Sequence, residues 1–492
     1  MIVLSYLYEY VKIRILTFYG LLFLGAWGVL KYLRLPPRLP PKVALLIILL
    51  TGLVLRLTWI NFSSHQPKMS WTESHQLIEN DLINLYAIDL TKGIWFQEEG
   101  TRPVARRPIG YPVFLGLLYK IFGVHLSVVW TSNLFLFVAA TLLIFLLARQ
   151  IFSEREGLIA AFLFSLYPTS IYMAKMTTDE TLFIPVWLLG IYFLFREIRV
   201  GRESLPYWFL YSLLFGYATM TRTHTIFMPL VVGLALFLQK RNWGQILGRM
   251  ILVALLMQVI NLPWIIRNYK LWGSPLIYTG ANASLYGHLS SLEGPRGSGT
   301  LPQRGERGYS EELFRTVMSG NEALANQIAS REIIRWVRQH PKEFLMNGVA
   351  QVLYFMGWDR SGGVWPIWYQ YTEGAYDPKR PLSPARRKVL EELAFASYYI
   401  LLFSFLFSLG FIANRWKSMP PEKRICLLVL GSCLFFWCTE HMMIWPLRKL
   451  RFPLELLMMI VASPFLSYLL YEFRWEQLWK RWRSKIRVAQ HK

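Results

Sequence analysis

The amino-acid sequence predicts an all-α fold, a polytopic helical membrane protein of about 11 spans. It also predicts two large outer loop segments. Three observations lead there. The chain has 492 residues, of which 54% are hydrophobic and 16% aromatic, with a mean hydropathy of +0.32, too apolar for an ordinary globular protein. Its apolar runs are long, and charges fall in the short intervals between them. The alternation of apolar and polar residues that a membrane barrel requires is absent.

Taken in order, the runs are 13–33, 43–60, 126–148, 157–175, 180–196, 206–220, 224–239, 247–265, 396–414, 425–440 and 452–472. The first reads as an extra anchor rather than a signal peptide. It is long, lacks a small-residue cleavage site, and more positive charge follows it than precedes it. The expected organisation is then an anchor and basic cytoplasmic loop (1–42), a core (43–265) holding a first outer loop (61–125), a large outer segment (266–395), C-terminal spans (396–472) and a basic cytoplasmic tail (473–492). Residues 342–357 are apolar enough to suggest another span. Crossing there would carry the basic tail outside, so this stretch is expected to be re-entrant or interfacial.

The net charge of +23 raises the question of nucleic acid, but its distribution answers it. Basic residues cluster at Lys31/Arg34/Arg38/Lys42, Arg149/Arg155, Arg196/Arg199/Arg202, Lys240/Arg241/Arg249 and Arg415/Lys417/Lys423/Arg424. All these intervals lie on one side when the spans alternate, which is the positive-inside pattern of a cell-membrane protein. The tail, with Trp475 and Trp479 among its cations, reads as a helix on an anionic leaflet, and no nucleic-acid partner is expected. Cys426, Cys433 and Cys438 share one apolar stretch and read as small buried fillers, not a disulfide framework.

The polar chemistry gathers in the outer intervals. The first outer loop holds Glu73, Glu79, Asp81, Asp89, Glu98 and Glu99. Its run to Leu90-Thr91-Lys92-Gly93 suits a short helix ended by Gly93. A partly desolvated carboxylate at its start, Asp81 or Glu79, could take a proton from an acceptor hydroxyl. Asp89, Glu98 and Glu99 read as solvated loop charges. The loop closes with Arg106-Arg107-Pro108-Ile109-Gly110-Tyr111-Pro112, where prolines fix the chain direction and aim the arginines. Arginines at headgroup depth suit either a phosphate or plain lipid anchoring. Asp179-Glu180 sits in a tight outer turn, capping the next helix or facing a site, and Arg222 and His224 form a similar turn. Arg267 follows Pro263-Trp264 at the outer end of a span. Arg448, Lys449 and Arg451 fall in an outer interval where few cations belong, and they either snorkel or bind phosphate.

The order of these pieces resembles the GT-C superfamily of integral-membrane glycosyltransferases. It is most similar to bacterial members of the protein-O-mannosyltransferase and aminoarabinose-transferase type. The resemblance rests on Ala87-x-x-Leu90-x-x-Gly93, on Arg107 through Pro112 with Phe122-Gly123, and on Pro168 followed by Asp179-Glu180-Thr181-Leu182-Phe183. It continues through Thr221-Arg222, Pro263-Trp264 with Arg267-Asn268-Tyr269, and Arg448 through Pro453. Two departures stand out: Asn84 occupies the place of an expected tyrosine, and Ile109 replaces a proline.

The resemblance implies a catalytic aspartate in the first outer loop, carried most naturally by Asp81, with Glu79 as the alternative. It implies a polyprenyl-phosphate-linked sugar as donor, and an acceptor protein, lipid or glycan. It further implies a single inverting displacement on the outer face of the membrane. Arg106, Arg107, Tyr111, Glu180, Arg222, Arg267, Arg448, Lys449 and Arg451 are the expected substrate-binding residues. Some members of the superfamily use a divalent metal, but no clean ligand set stands out in this sequence. A transporter or polymerase of lipid-linked glycans is the alternative reading. The acids lie outside rather than in mid-span, which argues against it.

Overall fold

A computed structural model describes residues 40–62, 69–71, 77–79, 82–98, 102–105, 107–200, 205–277, 280–290, 301–353, 355–356, 384–443 and 451–472. The expected anchor at 13–33 and the basic tail lie outside these residues. In chain order the helices begin with α1 (Pro41–Phe62), α2 (Leu82–Thr91), α3 (Gly110–Phe122), α4 (Leu126–Ile151), α5 (Glu154–Leu166) and α6 (Pro168–Tyr172). They continue with α7 (Glu180–Val200), α8 (Leu205–Thr221), α9 (Met228–Leu238), α10 (Trp243–Trp272) and α11 (Gly280–Ser290). After these come α12 (Glu311–Ser319), α13 (Glu322–Gln339), α14 (Pro341–Leu353), α15 (Pro384–Arg415), α16 (Pro421–Met443) and α17 (Phe452–Ser467). Two short antiparallel hairpins decorate the first interhelical segment: β1 (Met69–Trp71) with β2 (Leu77–Glu79), and β3 (Gln97–Glu98) with β4 (Arg102–Pro103).

Seven of the described helices are long and apolar enough to cross a membrane, and an eighth crossing arises if α5 and α6 count as one. That is fewer than the apolar runs suggest, and the reasons are local. Pro168 cannot continue α5, so the run 157–175 bends by 55° at the break. The run 224–239 begins as a 3₁₀ turn at Thr223–Phe227, leaving only 11 residues of α-helix in α9. The span expected to end at 265 is longer than its apolar run, because α10 continues through Arg267 to Trp272. It stops where Gly273 adopts φ +68° as a left-handed cap.

Burial sorts the helices. α17 is apolar on nearly every side, Glu455 apart, so it belongs in the middle, and every residue from Phe452 to Pro464 is buried. It packs against α15 and α5, while α7 packs against α4 and α8, and α8 against α10. At the centre Trp187 and Trp437 lie 5.5 Å apart, with Phe183 against both. Gly216 lets α8 and α10 meet closely: a Cβ there would stand 2.6 Å from the Met257 carbonyl oxygen.

The stretch 311–339 is two helices, α12 and α13, parted by Gly320 at φ +81° and each begun by a polar cap, Ser310 and Asn321. With α11 they close a small core of their own around Tyr286, Leu313, Ile328 and Trp336. α14 follows. At 13 residues it is about 20 Å long, too short to cross a hydrocarbon core of about 30 Å. It lies against α16 with Leu345, Met346, Val349 and Leu353 exposed.

Candidate active site

The segment that ends the first loop is seated on the end of α8. Gly110 starts α3 in direct contact with Met220 and Thr221, and Tyr217 donates its hydroxyl to the Gly110 carbonyl at 3.1 Å. A Cβ at Gly110 would meet Thr221 Oγ1 at 2.5 Å and the Thr221 amide nitrogen at 2.8 Å. This close approach is why the motif needs glycine there. Arg107 is exposed just before this contact, while Tyr111 is fully buried just after it. α2 packs across α3, and Asn84 accepts the Tyr119 hydroxyl at 2.7 Å, so Asn84 has a place of its own in the fold.

One residue past the Gly110 contact stands Arg222, which joins the two acids of the other turn. Its guanidinium donates to Asp179 at 3.0 Å and to Glu180, whose carboxylate also accepts from Thr178. Glu180 is fully buried and Arg222 only 5% exposed. One cation thus bridges two carboxylates away from solvent. Thus Arg107, Tyr111, Glu180 and Arg222, far apart in sequence, are brought to one end of the bundle.

A second chain of contacts leads from there to Arg451. His224 Nδ1 lies 2.7 Å from Glu440 Oε1, and His441 donates Nδ1 to the Trp437 carbonyl at 2.7 Å. The Phe355 ring stacks on His441 at 4.1 Å, and its carbonyl accepts from Arg451 at 3.1 Å. Arg451 is 2% exposed, bonds Glu455 at 2.7 Å and lies 3.5 Å over the Tyr398 ring. The cation expected at a phosphate is here engaged by a carboxylate, a carbonyl and an aromatic face.

Arg267 is likewise occupied. It donates to the carbonyls of Phe96 at 3.1 Å, Val104 at 3.2 Å and Trp95 at 3.4 Å, across the β3–β4 hairpin, and stacks 4.4 Å from the Trp264 ring. Phe96 has φ +47°, a left-handed backbone costly to a bulky side chain, and it is held there by burial between Tyr86 and Trp264. Glu322 of α13 accepts the Ala105 amide at 2.7 Å. In the same segment Asp89 is half-buried, and desolvation raises its carboxyl above the usual range, with Lys92 pulling the other way.

Asp81, Arg106, Arg448 and Lys449 lie outside the described residues. For Glu79 the structure describes only the backbone, paired with Met69 at the end of β2. Among the described residues no three His, Cys, Asp or Glu side chains are grouped to hold a metal ion.

Sequence reasoning passed over three residues that matter. Glu440 and Glu322 gave no signal, since a lone acid at a helix end is ordinary. Arg56 did: it stands inside the apolar run 43–60. It is 1% exposed, stacks 3.3 Å over Phe137, and donates to the carbonyls of Gly52 and Ser165 and to Ser170 Oγ. The cavity beside it is ≈ 30 Å³, room for a water or two and not for a sugar.

The described residues thus form a bundle of apolar helices, a multi-pass membrane architecture, with an acid–arginine cluster at one end beside a loop turn. Residues 106–266 match the family described as dolichyl-phosphate-mannose-protein mannosyltransferase, which bears out the resemblance read from the motifs. No curated protein matches the chain. Among solved structures it is similar to the archaeal oligosaccharyltransferase AglB from Archaeoglobus fulgidus in complex with an inhibitory peptide and a dolichol-phosphate. The identity is 13% and the TM-score 0.47, over 87% of this chain and 50% of that one. It is also similar to ArnT from Cupriavidus metallidurans bound to undecaprenyl phosphate, at 13% identity and TM-score 0.39, over 81% of this chain and 76% of that one. The chain thus spans about half the length of the oligosaccharyltransferase structures it resembles.

Proposed function

We propose that this chain transfers a sugar from a polyprenyl-phosphate carrier to an acceptor protein, lipid or glycan on the outer face of a cell membrane, with inversion at the anomeric carbon. The observation that carries the reading is the seating of the Arg107–Pro112 turn on α8, directly beside the buried Asp179–Glu180–Arg222 cluster. The family match spans all of these residues. The two solved relatives, a dolichol-phosphate complex and an undecaprenyl-phosphate complex by their descriptions, suggest the donor class.

In this mechanism Asp81, or Glu79 beside it, takes the proton from the acceptor hydroxyl as that oxygen attacks the anomeric carbon. The sugar–phosphate bond breaks, and the lipid phosphate leaves with its electron pair. It needs charge stabilisation rather than protonation. Arg107, exposed at the turn, is the described cation best disposed to meet it; Arg106, Arg448 and Lys449 are the further candidates. Arg222 and Arg451 hold the surrounding acids and carbonyls in place. The test is purified protein given a radiolabelled panel of polyprenyl-phosphate sugars. Release of free polyprenyl phosphate with a sugar-modified acceptor supports the reading; movement of intact lipid-linked sugar across vesicles without cleavage overturns it in favour of a transporter.

A further inference from the structure

The turn that carries Arg106 and Arg107 is gripped just upstream from two directions. From the membrane helices, Arg267 of α10 reaches the Phe96 and Val104 carbonyls. From the large helical segment, Glu322 at the first position of α13 accepts the Ala105 amide at 2.7 Å. Glu322 is 6% exposed, which is unusual for the first residue of a surface helix, where carboxylates ordinarily stay in water. It accepts a backbone amide 217 positions away, and its charge also acts on Arg267. Ala105 is itself buried, whereas Arg107 two residues on is exposed.

We propose that Glu322 is a positioning residue through which the helical segment 280–353 sets the place of the Arg106–Arg107 turn, and so the binding of the donor phosphate. The inference rests on the glycosyl-transfer reading for its kinetic consequence but not for its structural one. A charge-assisted hydrogen bond from a buried carboxylate fixes one backbone amide. Without it this backbone loses the hold that the helical segment supplies. Donor affinity should suffer, because the phosphate's cation is displaced; the chemical step, performed by carboxylates elsewhere in the loop, should not.

Two arms test this on the full-length protein in detergent. The first is limited trypsinolysis. Between Lys92 and Lys120 the other arginines precede proline, at Arg102-Pro103 and Arg107-Pro108, which trypsin cuts poorly. Arg106–Arg107 is therefore the one ordinary tryptic bond in that stretch. Glu322→Ala should raise its cleavage rate about tenfold, the size expected for one charge-assisted hydrogen bond, while cleavage elsewhere keeps its wild-type rate. Glu322→Gln, which retains a side-chain oxygen acceptor, should stay close to wild type. The second arm is saturation kinetics with polyprenyl-phosphate sugar: Glu322→Ala should raise KM for the donor about tenfold with kcat within about twofold, and the Gln variant should rescue it.

Unchanged cleavage at Arg106–Arg107 overturns the proposal, and so does cleavage that accelerates equally at every site, which would make Glu322 a general stabiliser. A fall in kcat with unchanged KM overturns it as well, by putting Glu322 in the chemistry. If the wild-type protein turns over no polyprenyl-phosphate sugar, it is the functional reading that fails, and the proteolysis arm still decides the role of Glu322.

Discussion

Gly110 is the point at which a single methyl group should separate fold from function. A Cβ added there would lie 2.5 Å from Thr221 Oγ1, 2.8 Å from the Thr221 nitrogen and 2.9 Å from the Met220 carbonyl carbon, where ordinary contact begins at 3.4 Å. The side-chain contact can be relieved by rotation, but the two backbone contacts cannot, so Gly110→Ala must push α3 from α8 by roughly 0.6 Å. Overpacking of this kind costs about 1–3 kcal/mol. A displacement of that size, at a turn whose arginine we propose meets the donor phosphate, is expected to slow transfer about tenfold or more, since a 1 Å misplacement can cost about a hundredfold. Thermal unfolding in detergent and turnover of a polyprenyl-phosphate sugar should both be measured, and Gly110→Ala/Thr221→Ala serves as the control. Removing the Thr221 side chain relieves only one of the three contacts, so it should recover less than half of either loss. A Gly110→Ala protein with wild-type stability and wild-type turnover would refute the account of why this motif needs glycine.

Further expectations are these. Arg222→Met leaves Asp179 and the buried Glu180 without their cation and should destabilise the protein by about 3–5 kcal/mol, the penalty for breaking a buried pair; a change under about 0.5 kcal/mol in denaturation would show the cluster to be screened. Asp81→Asn should insert normally and lower sugar transfer at least about a hundredfold; near-normal turnover shifts the base to Glu79, to be tested as Glu79→Gln. In the segment 301–353, the Arg307 fork bonds Glu343 at 2.9 and 2.8 Å and, with its charge, holds that carboxyl below the usual range. A depressed folded pKa means the pair stabilises fully above the unfolded carboxylate pKa of about 4.3 and loses this as pH falls further. With both side chains about a third exposed the effect is small. The decline in thermal stability from pH 6 to pH 3 should be shallower in Glu343→Gln.

The class was legible because membrane burial writes itself in long apolar runs, and the residues of the acid–arginine cluster stood out because they lie at the ends of those runs. What stayed hidden was whatever depends on distant partners. The apolar composition of 157–175 could not say that Pro168 would bend it, nor that Thr223–Phe227 would open as a 3₁₀ turn instead of a full span. Arg267 is the clearest instance: its sequence placement, after Pro263-Trp264, suggests a helix end open to substrate. The helix in fact runs on past it, and its guanidinium holds the hairpin around Phe96. Asp179 and Glu180 were recognisable as a turn, but their shared cation, 42 residues from Glu180, was visible only as an isolated arginine. Glu322 could not have been singled out at all, since its partner is a backbone amide and leaves no trace in side-chain pattern.

The buried Arg56 bears on how the chain is made. As α1 leaves the ribosome it carries a guanidinium into the bilayer, a burden of about 2.5–3.5 kcal/mol at a span's centre and less toward its end. The groups that relieve that burden, the Ser165 carbonyl freed where Pro168 interrupts the helix and the Ser170 hydroxyl, are synthesised 109 and 114 residues later. Until then the first described span is an incomplete passenger, best retained at the insertion machinery rather than released into lipid. Its final seat is made by the bent pair α5–α6, so α1 reaches its native packing only once these segments, distant in translation, have been made.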